Sequence, residues 1–417
     1  MRKRWWLAVV VAALVAASVT AAVMVSRAQG SPTLQPLSAA QLLAKVAAAS
    51  KTQTAISGDV AWSNGLVPGS GLSSLLSGQN AAPTSLSGLA LGGSGRLWLR
   101  QGSGLRLEVQ GTDGDFVLIA GKHGLWTYSS ATDTATRYTL AAGKGVAASP
   151  APQVQPSPVN LIAAISADLQ RFASIGTVNV SQESVAGRPS YLLIMTPTST
   201  ATTVRSVQVA IDARTFVPLR LQVFAKGDGS AVLSAGFTSV SYGRLGSGLF
   251  GFTPPSGTTV RQQALPSASS LLGQMPVAKT KPDGLSTLAQ AEAKAQALGL
   301  QLIAPSGSAL PASLSFQGAT VGAPGKAHGA IALLRYGTGF GSIALIETRG
   351  MAAAGVASQL ARLPHALLSP VRIAGHLGYE LRTSLINVAM WHEGGTTVVA
   401  VGAVPVPSLN RFLAAIR

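Results

Sequence analysis

The hydrophobic pattern changes period several times along the chain, and the changes mark its parts. Arg2, Lys3 and Arg4 precede an uncharged, mostly apolar run from Trp5 to Val25. At 1.5 Å per residue a helix over that run reaches about 30 Å, the thickness of a bilayer core. Beyond the short polar stretch Ser31–Pro36, Leu42, Leu43 and Val46 fall on one helical face. Their spacing predicts a helix over Ser38–Ala49, with Ser38 placed to cap it. Ile56–Trp62 reads as a strand. Period two then takes over in Arg96–Arg100, Leu105–Gln110, Asp115–Ala120, Gly124–Ser129 and Thr134–Leu140, with turn residues between them. Leu105, Leu107 and Val109 alternate with Arg106, Glu108 and Gln110, the mark of a half-buried antiparallel meander.

Ala141–Pro158 is extended and rich in Ala, Gly and Pro. Leu161, Ile165, Leu169 and Phe172 predict a second amphipathic helix over Asn160–Phe172. Further strands are expected at Thr177–Ser184, Ser190–Pro197, Arg205–Asp212, Pro218–Ala225, Val232–Tyr242 and Phe250–Thr253. Gly227-Asp228-Gly229 predicts a hairpin turn, and Pro254-Pro255-Ser256-Gly257 is expected to end the sheet, because proline donates nothing to a ladder. A polar linker over 261–284 leads to a second unit over 285–417. That unit opens with a helix over Leu288–Leu298, bounded by a Thr287/Gln290 capping box and Gly299. A hairpin of Ala330–Tyr336 with Ser342–Thr348, a helix over Ala352–Leu363, strands at Val371–Ala374, Tyr379–Thr383, Asn387–His392 and Thr396–Val401, and a closing helix over Ser408–Ile416 complete it. Strands grouped apart from helices give an α+β class rather than alternating βαβ units.

Two segments admit two readings each. Ser63–Gly95 is rich in Gly and Ser but keeps Leu66, Leu72, Leu86 and Leu89, so it is either a lid over an apolar opening or a plain insertion. The N-terminal run is either an uncleaved anchor, with residues 1–30 forming a cytoplasmic tip and a transmembrane helix, or a signal peptide cut after Ala28. A signal core is usually 7–15 residues, so the longer run here favours the anchor. Both readings place the bulk of the chain outside the cytoplasm, and the anchor makes it a single-pass protein of the cell membrane.

Composition narrows the chemistry. With 47% hydrophobic residues the chain is not generally disordered. It has no cysteine, which excludes disulfides, iron–sulfur clusters, thiol nucleophiles and a lipidated cysteine. Lys and Arg exceed Asp and Glu by 31 − 14 = 17, but the positives stand singly beyond the N-terminus. No nucleic-acid partner is expected from that pattern. A diffuse positive charge suits an anionic membrane or wall, and it also simply keeps a protein soluble. Gly337-Thr338-Gly339-Phe340-Gly341 precedes a strand, not a helix, and so reads as a hairpin rather than a phosphate loop. His376 and Glu380 are four apart on a turn and strand, which suits a solvated pair better than a metal site. Asp113 and Asp115 flank a glycine and read as a turn. No Gly-x-Ser-x-Gly elbow coincides with a strand-to-helix turn. An enzyme, a metal and a cofactor are therefore not expected.

The order of these pieces carries a resemblance. The stretches "GRLWLRQGSGLRLEV", "VLIAGKHGLWTYSSATDTATRYTL", "VAGRPSYLLIMTP" and "LFGFTPPSGTTV", with Ile211-Asp212-Ala213-Arg214-Thr215 before Pro218-Leu219-Arg220, occur in that order over residues 37–260. This region resembles the LolA-like lipoprotein carriers, whose wider relatives include RseB-type sensors of envelope stress. Residues 285–417, through Leu298-Gly299, Pro305, Tyr336 and Trp391, resemble a small uncharacterised extracytoplasmic domain. The resemblance implies an incomplete antiparallel β-barrel with helices covering the concave face and an apolar cavity for lipid or lipoprotein acyl chains. Strand parity then offers Leu97, Leu99, Leu105, Leu107, Val109, Phe116 and Leu118 as one lining stripe. Trp126 joins it as a candidate from the aromatics Trp62, Trp98, Trp126 and Tyr128, for which ordinary packing is the other reading. The implied function is a membrane-tethered binder of a hydrophobic ligand. The alternative is an RseB-like regulatory protein without carrier activity, whose partner is a membrane regulatory protein.

Overall fold

The computed structural model describes residues 34–49, 55–66, 89, 92–121, 124–140, 175–265, 286–305, 310–322, 330–349 and 368–416. The expected span Trp5–Val25, the stretch Ala141–Pro158, the helices Asn160–Phe172 and Ala352–Leu363, and most of Ser63–Gly95 lie outside the described residues. No described helix is long and apolar enough to cross a membrane.

The first described element, α1 (Ala39–Ala49), begins at a reciprocal cap. The Gln41 N–H donates to Ser38 Oγ at 3.2 Å, and the Ser38 N–H donates to Gln41 Oε1 at 2.9 Å. The helix buries Leu42, Leu43 and Val46, each worth about 1.5–3 kcal/mol relative to exposure. The strands that follow are β1 (Ala55–Asn64), β2 (Gly92–Arg100), β3 (Gly104–Gly111), β4 (Gly114–Gly121), β5 (Gly124–Ser129), β6 (Thr134–Leu140), β7 (Gly176–Val185), β8 (Arg188–Pro197), β9 (Val204–Asp212), β10 (Pro218–Ala225), β11 (Ala231–Phe237), β12 (Ser241–Tyr242) and β13 (Thr259–Leu265). They form one sheet in the order β13-β6-β5-β4-β3-β2-β1-β11-β10-β9-β8-β7, with β12 beside β1. β1 is the seam: it pairs β2 along one side, and β12 and then β11 along the other.

Among the described residues the sheet is open, with β13 and β7 as its edges, and no closed barrel forms. Among the described residues the chain is mostly β, in two sheets with few helices. Of the helices expected to cover this sheet, the described one, α1, packs on a face of it, and Asn160–Phe172 lies outside the described residues. The expected strand Phe250–Thr253 is instead a 3₁₀ turn over Ser247–Phe250 followed by non-strand backbone. Nor do Pro254 and Pro255 end the sheet. Thr259 and the residues after it regain their N–H groups, and β13 pairs with β6 in the sheet's one parallel ladder, reaching past 260 to Leu265.

The second unit holds α2 (Leu288–Ala297), β14 (Phe316–Gly322), β15 (Ile331–Tyr336), β16 (Ile343–Arg349), β17 (Ser369–Ile373), β18 (His376–Arg382), β19 (Asn387–Glu393), β20 (Thr396–Gly402) and α3 (Val406–Ala414). Its sheet runs β14-β15-β16-β20-β19-β18-β17, wholly antiparallel. The Thr287/Gln290 capping box is present, and Gly299 leaves α2 at φ +73°, a left-handed conformation that favours glycine. Trp391, Tyr336 and Phe412 are fully buried where α2 and α3 meet the sheet.

The two units are joined by more than the chain. Buried Thr202 donates its hydroxyl to the Ala403 carbonyl at 2.8 Å, and Thr203 donates its N–H to the same carbonyl at 2.9 Å. Thr203 also donates its hydroxyl to the Leu385 carbonyl at 2.5 Å. Leu385 is buried in the same cluster as α1, with Phe340 and Ala403 packed beside it.

Candidate functional site: the inner face of the first sheet

α1 fixes which face of the first sheet is inward. Its buried residues cluster with Leu193, Met195, Val207 and Val209 on β8 and β9. In an antiparallel sheet directly paired residues point to the same side. Following the pairs from Leu193 through Val209, Leu221 and Ala235 leads to Trp62 on β1. From β1 the same side continues into the other half of the sheet through Ile56–Leu99 and Gly58–Leu97. Leu97 is paired with Leu107 and that with Leu118; Leu99 is paired with Leu105; Val109 is paired with Phe116.

Seven of the eight sequence-derived residues therefore share the face on which α1 packs. Leu99, Leu105, Leu107, Val109 and Phe116 are buried there in one cluster with Trp62, and Leu97 and Leu118 pack against it. Trp62 fixes its ring by donating Nε1–H to the Leu89 carbonyl at 2.9 Å, which brings Leu89 into the same cluster.

Trp126 is not with them. It pairs with Ile119, one residue out of phase with Leu118, and so stands on the opposite, outer face. Its neighbours there are Phe252, with ring centroids 5.4 Å apart, and the guanidinium of Arg137 at 5.7 Å. Tyr128 and Trp98 share that side, against Phe252 and Arg96 respectively. The segment 247–252 crosses this outer face as a strap. Phe250 presses on Gly104 and Gly121, where a Cβ would run into it, and Arg106 donates to the Leu249 carbonyl. The glycines make room for the strap, and the outer aromatics pack against it.

The Asp212 motif is a corner of the framework. Asp212 is fully buried between β9 and β10 and accepts from Arg188, from the N–H groups of Arg214 and Thr215 at 2.8 Å each, and from the Tyr242 hydroxyl at 3.3 Å. Burial alone would raise its pKa. The Arg188 bond, the two N–H groups and the Arg188 charge outweigh it and hold the carboxyl below the usual carboxylate range. Burial pushes the Tyr242 phenol up to about 12.

Elsewhere, fully buried Glu347 on β16 accepts the Ile303 N–H at 2.9 Å. Burial raises it to about 8, against that hydrogen bond and with help from the charge of Glu393. Glu380 is not solvated as the sequence suggested but almost fully buried, bonded to Arg382 at 2.6 Å. His376 faces Glu393 at 3.8 Å instead. Gly337–Gly341 closes an antiparallel hairpin between β15 and β16. Among the described residues no group of three metal-ligating side chains converges.

The chain is similar to MucB and to LolA superfamily proteins. The structure of MucB in complex with MucA(peri) is 13% identical with a TM-score of 0.40, over 91% of this chain and 98% of that one. The Pseudomonas aeruginosa MucA/MucB complex gives 15% and 0.39, over 90% and 97%. A LolA superfamily protein from Nitrosomonas europaea gives 12% and 0.21, over 52% of this chain and 99% of that one. No family model and no curated protein matches the chain.

Proposed function

We propose that this chain is a non-enzymatic, membrane-tethered extracytoplasmic protein that binds a hydrophobic ligand on the inner face of its first sheet. The observation that carries the reading is the gathering of Leu97, Leu99, Leu105, Leu107, Val109, Phe116 and Leu118 on one side of three adjacent strands. α1 packs on the β8–β9 half of that side, and the stripe forms a separate buried apolar cluster beside it. Lipid sites are mostly apolar, and each buried CH₂ of a ligand contributes about 0.8 kcal/mol, so a dozen methylenes supply affinity without polar contacts. Native mass spectrometry of the purified chain tests it: co-purified lipid is expected, and it should be lost in Leu107→Asp while the Trp126→Leu variant keeps it. A bare chain with no uptake of a fluorescent fatty acid would sink the reading. Retention in membranes after a carbonate wash is the expected sign of the tether, and a mature N-terminus at Gln29 would remove it.

A second reading is a regulatory protein that contacts a membrane partner through its second unit, as MucB is paired with MucA in the structure named above. Leu377 and Tyr379 favour it, since they are exposed by 60% and 37% on one side of β18 next to an edge strand. Capture of a defined partner that Leu377→Lys abolishes, with no lipid bound, would select this reading over the first.

A further inference from the structure

Two of the three rows on the inner face change character at one strand boundary, while a third, Leu105, Ala120, Leu125 and Tyr138, stays apolar and aromatic into β6. One row of paired residues runs Leu97, Leu107, Leu118, Thr127, Thr136 and Arg261, from β2 to β13. The next row runs Val109, Phe116, Ser129, Thr134 and Thr259. Both rows are apolar up to β4 and carry hydroxyls from β5 onward. At about 4.8 Å per strand, the apolar part of the first row covers about 10 Å, and Arg261 lies about 14 Å beyond Leu118.

The hydroxyl end is not simply a wet rim. Thr127 and Ser129 are 4% and 2% exposed, and Ser129 Oγ has no hydrogen-bond partner. A buried hydroxyl left unpaired is costly, and native proteins keep such groups where something else completes them. Arg261 stands exposed at the end of the row. The sequences of β5, β6 and β13 contain no Asp or Glu, so no carboxylate on these strands competes for it.

Resting on the ligand-binding reading above, we propose that this face takes an amphiphile with an anionic headgroup. Its chain lies along Leu97, Leu107 and Leu118. Its headgroup oxygens accept from the hydroxyls of Ser129, Thr127 and Thr136, with the Arg261 guanidinium at the outer end. A guanidinium offers paired donors that match a carboxylate or a phosphate, and hydroxyls donate to either. A neutral headgroup would use the hydroxyls and leave the arginine idle.

The test offers the full-length chain dioleoylphosphatidylglycerol, oleate and dioleoylglycerol together in detergent and reads the retained lipid by native mass spectrometry. Either anionic lipid should be retained about tenfold over dioleoylglycerol, the scale of charge-assisted hydrogen bonds. Preference for phosphatidylglycerol over oleate assigns a phosphate headgroup, and the reverse a carboxylate. Arg261→Gln should abolish the preference for either anionic lipid over dioleoylglycerol. Ser129→Ala should reduce it, and Arg335→Gln, an exposed arginine on the second sheet, should not. Equal retention of all three lipids, or an undiminished preference in Arg261→Gln, would overturn the headgroup assignment and leave a hydrophobic binder standing. Retention of none would instead refute the binding reading beneath it.

Discussion

Asp212→Ala should cost the first unit about 3–5 kcal/mol, the range for removing one partner of a buried ion pair. Four donors lose their acceptor at once: the Arg188 guanidinium, the N–H groups of Arg214 and Thr215, and the Tyr242 hydroxyl. Asp212 is fully buried and the Arg188 side chain three-quarters buried, so water cannot replace the carboxylate at most of these groups. The two N–H groups also set the turn between β9 and β10, which ties the cost to a strand junction rather than to a surface loop. Urea unfolding followed by tryptophan fluorescence checks this, with Trp62, Trp98 and Trp126 on the first sheet and a Trp391→Phe background to silence the second. The double variant Asp212→Leu with Arg188→Met should recover much of the loss, because it leaves no charge stranded. The same pair gives a pH signature. The carboxyl is depressed in the folded state, so its stabilisation is present above the unfolded value near 4 and lost as pH falls through the folded value. A loss below about 1 kcal/mol in Asp212→Ala, or an acid limb identical in the variant and the parent, would refute a buried, charged corner.

Glu347 should behave in the opposite sense. Its folded pKa is raised to about 8 by burial, so the contribution of Glu347 to stability is fully present below about pH 4.5 and falls by on the order of 5 kcal/mol as pH rises through 8. Glu347→Gln should flatten that alkaline limb in a thermal melt, and an unchanged slope would count against a protonated carboxyl. Trp126→Leu should lower the melting temperature slightly, by the loss of an aromatic pair worth about 0.5–1.5 kcal/mol, without affecting lipid retention. A loss of bound lipid would put Trp126 back in the site. Leu385→Asp should split a single calorimetric transition into two, since Leu385 is buried in the core of the other unit. One unsplit transition would mean that the two units do not depend on this contact.

How much of this was legible in the sequence depends on what each residue had to reveal. The meander strands were readable because Leu105, Leu107 and Val109 alternate without interruption, and the observed β3 carries that alternation in its burial. β14 was missed because Phe316–Gly322 holds two glycines and alternates weakly. β13 was missed because Thr259–Leu265 has a polar Arg-Gln-Gln centre and follows two prolines. Its partner β6 lies more than a hundred residues away, and no local pattern announces a parallel return. The strap over the outer face was hidden for the same reason, although Gly104 and Gly121 were a faint signal of something approaching closely. Glu380 and Glu347 look like surface acids in a list of residues. Only the register, which sets each beside buried neighbours, shows otherwise.

Trp126 shows where strand parity decides and composition misleads. A large aromatic in a strand next to an apolar stripe invites assignment to the stripe. Yet Leu118 and Trp126 lie on neighbouring strands whose pairing is Leu118 with Thr127 and Ile119 with Trp126. That single step of phase places Trp126 outside and Thr127 inside. The same step that removes an aromatic from the inner face adds a hydroxyl to it, and on β6 and β13 it adds Thr136 and Arg261. A face read from hydrophobicity alone would be uniformly greasy from β1 to β6. Read through its pairing, two of its rows pass from apolar side chains on β2–β4 to hydroxyls on β5 and β6, beside a third row that stays apolar through Leu125 and Tyr138.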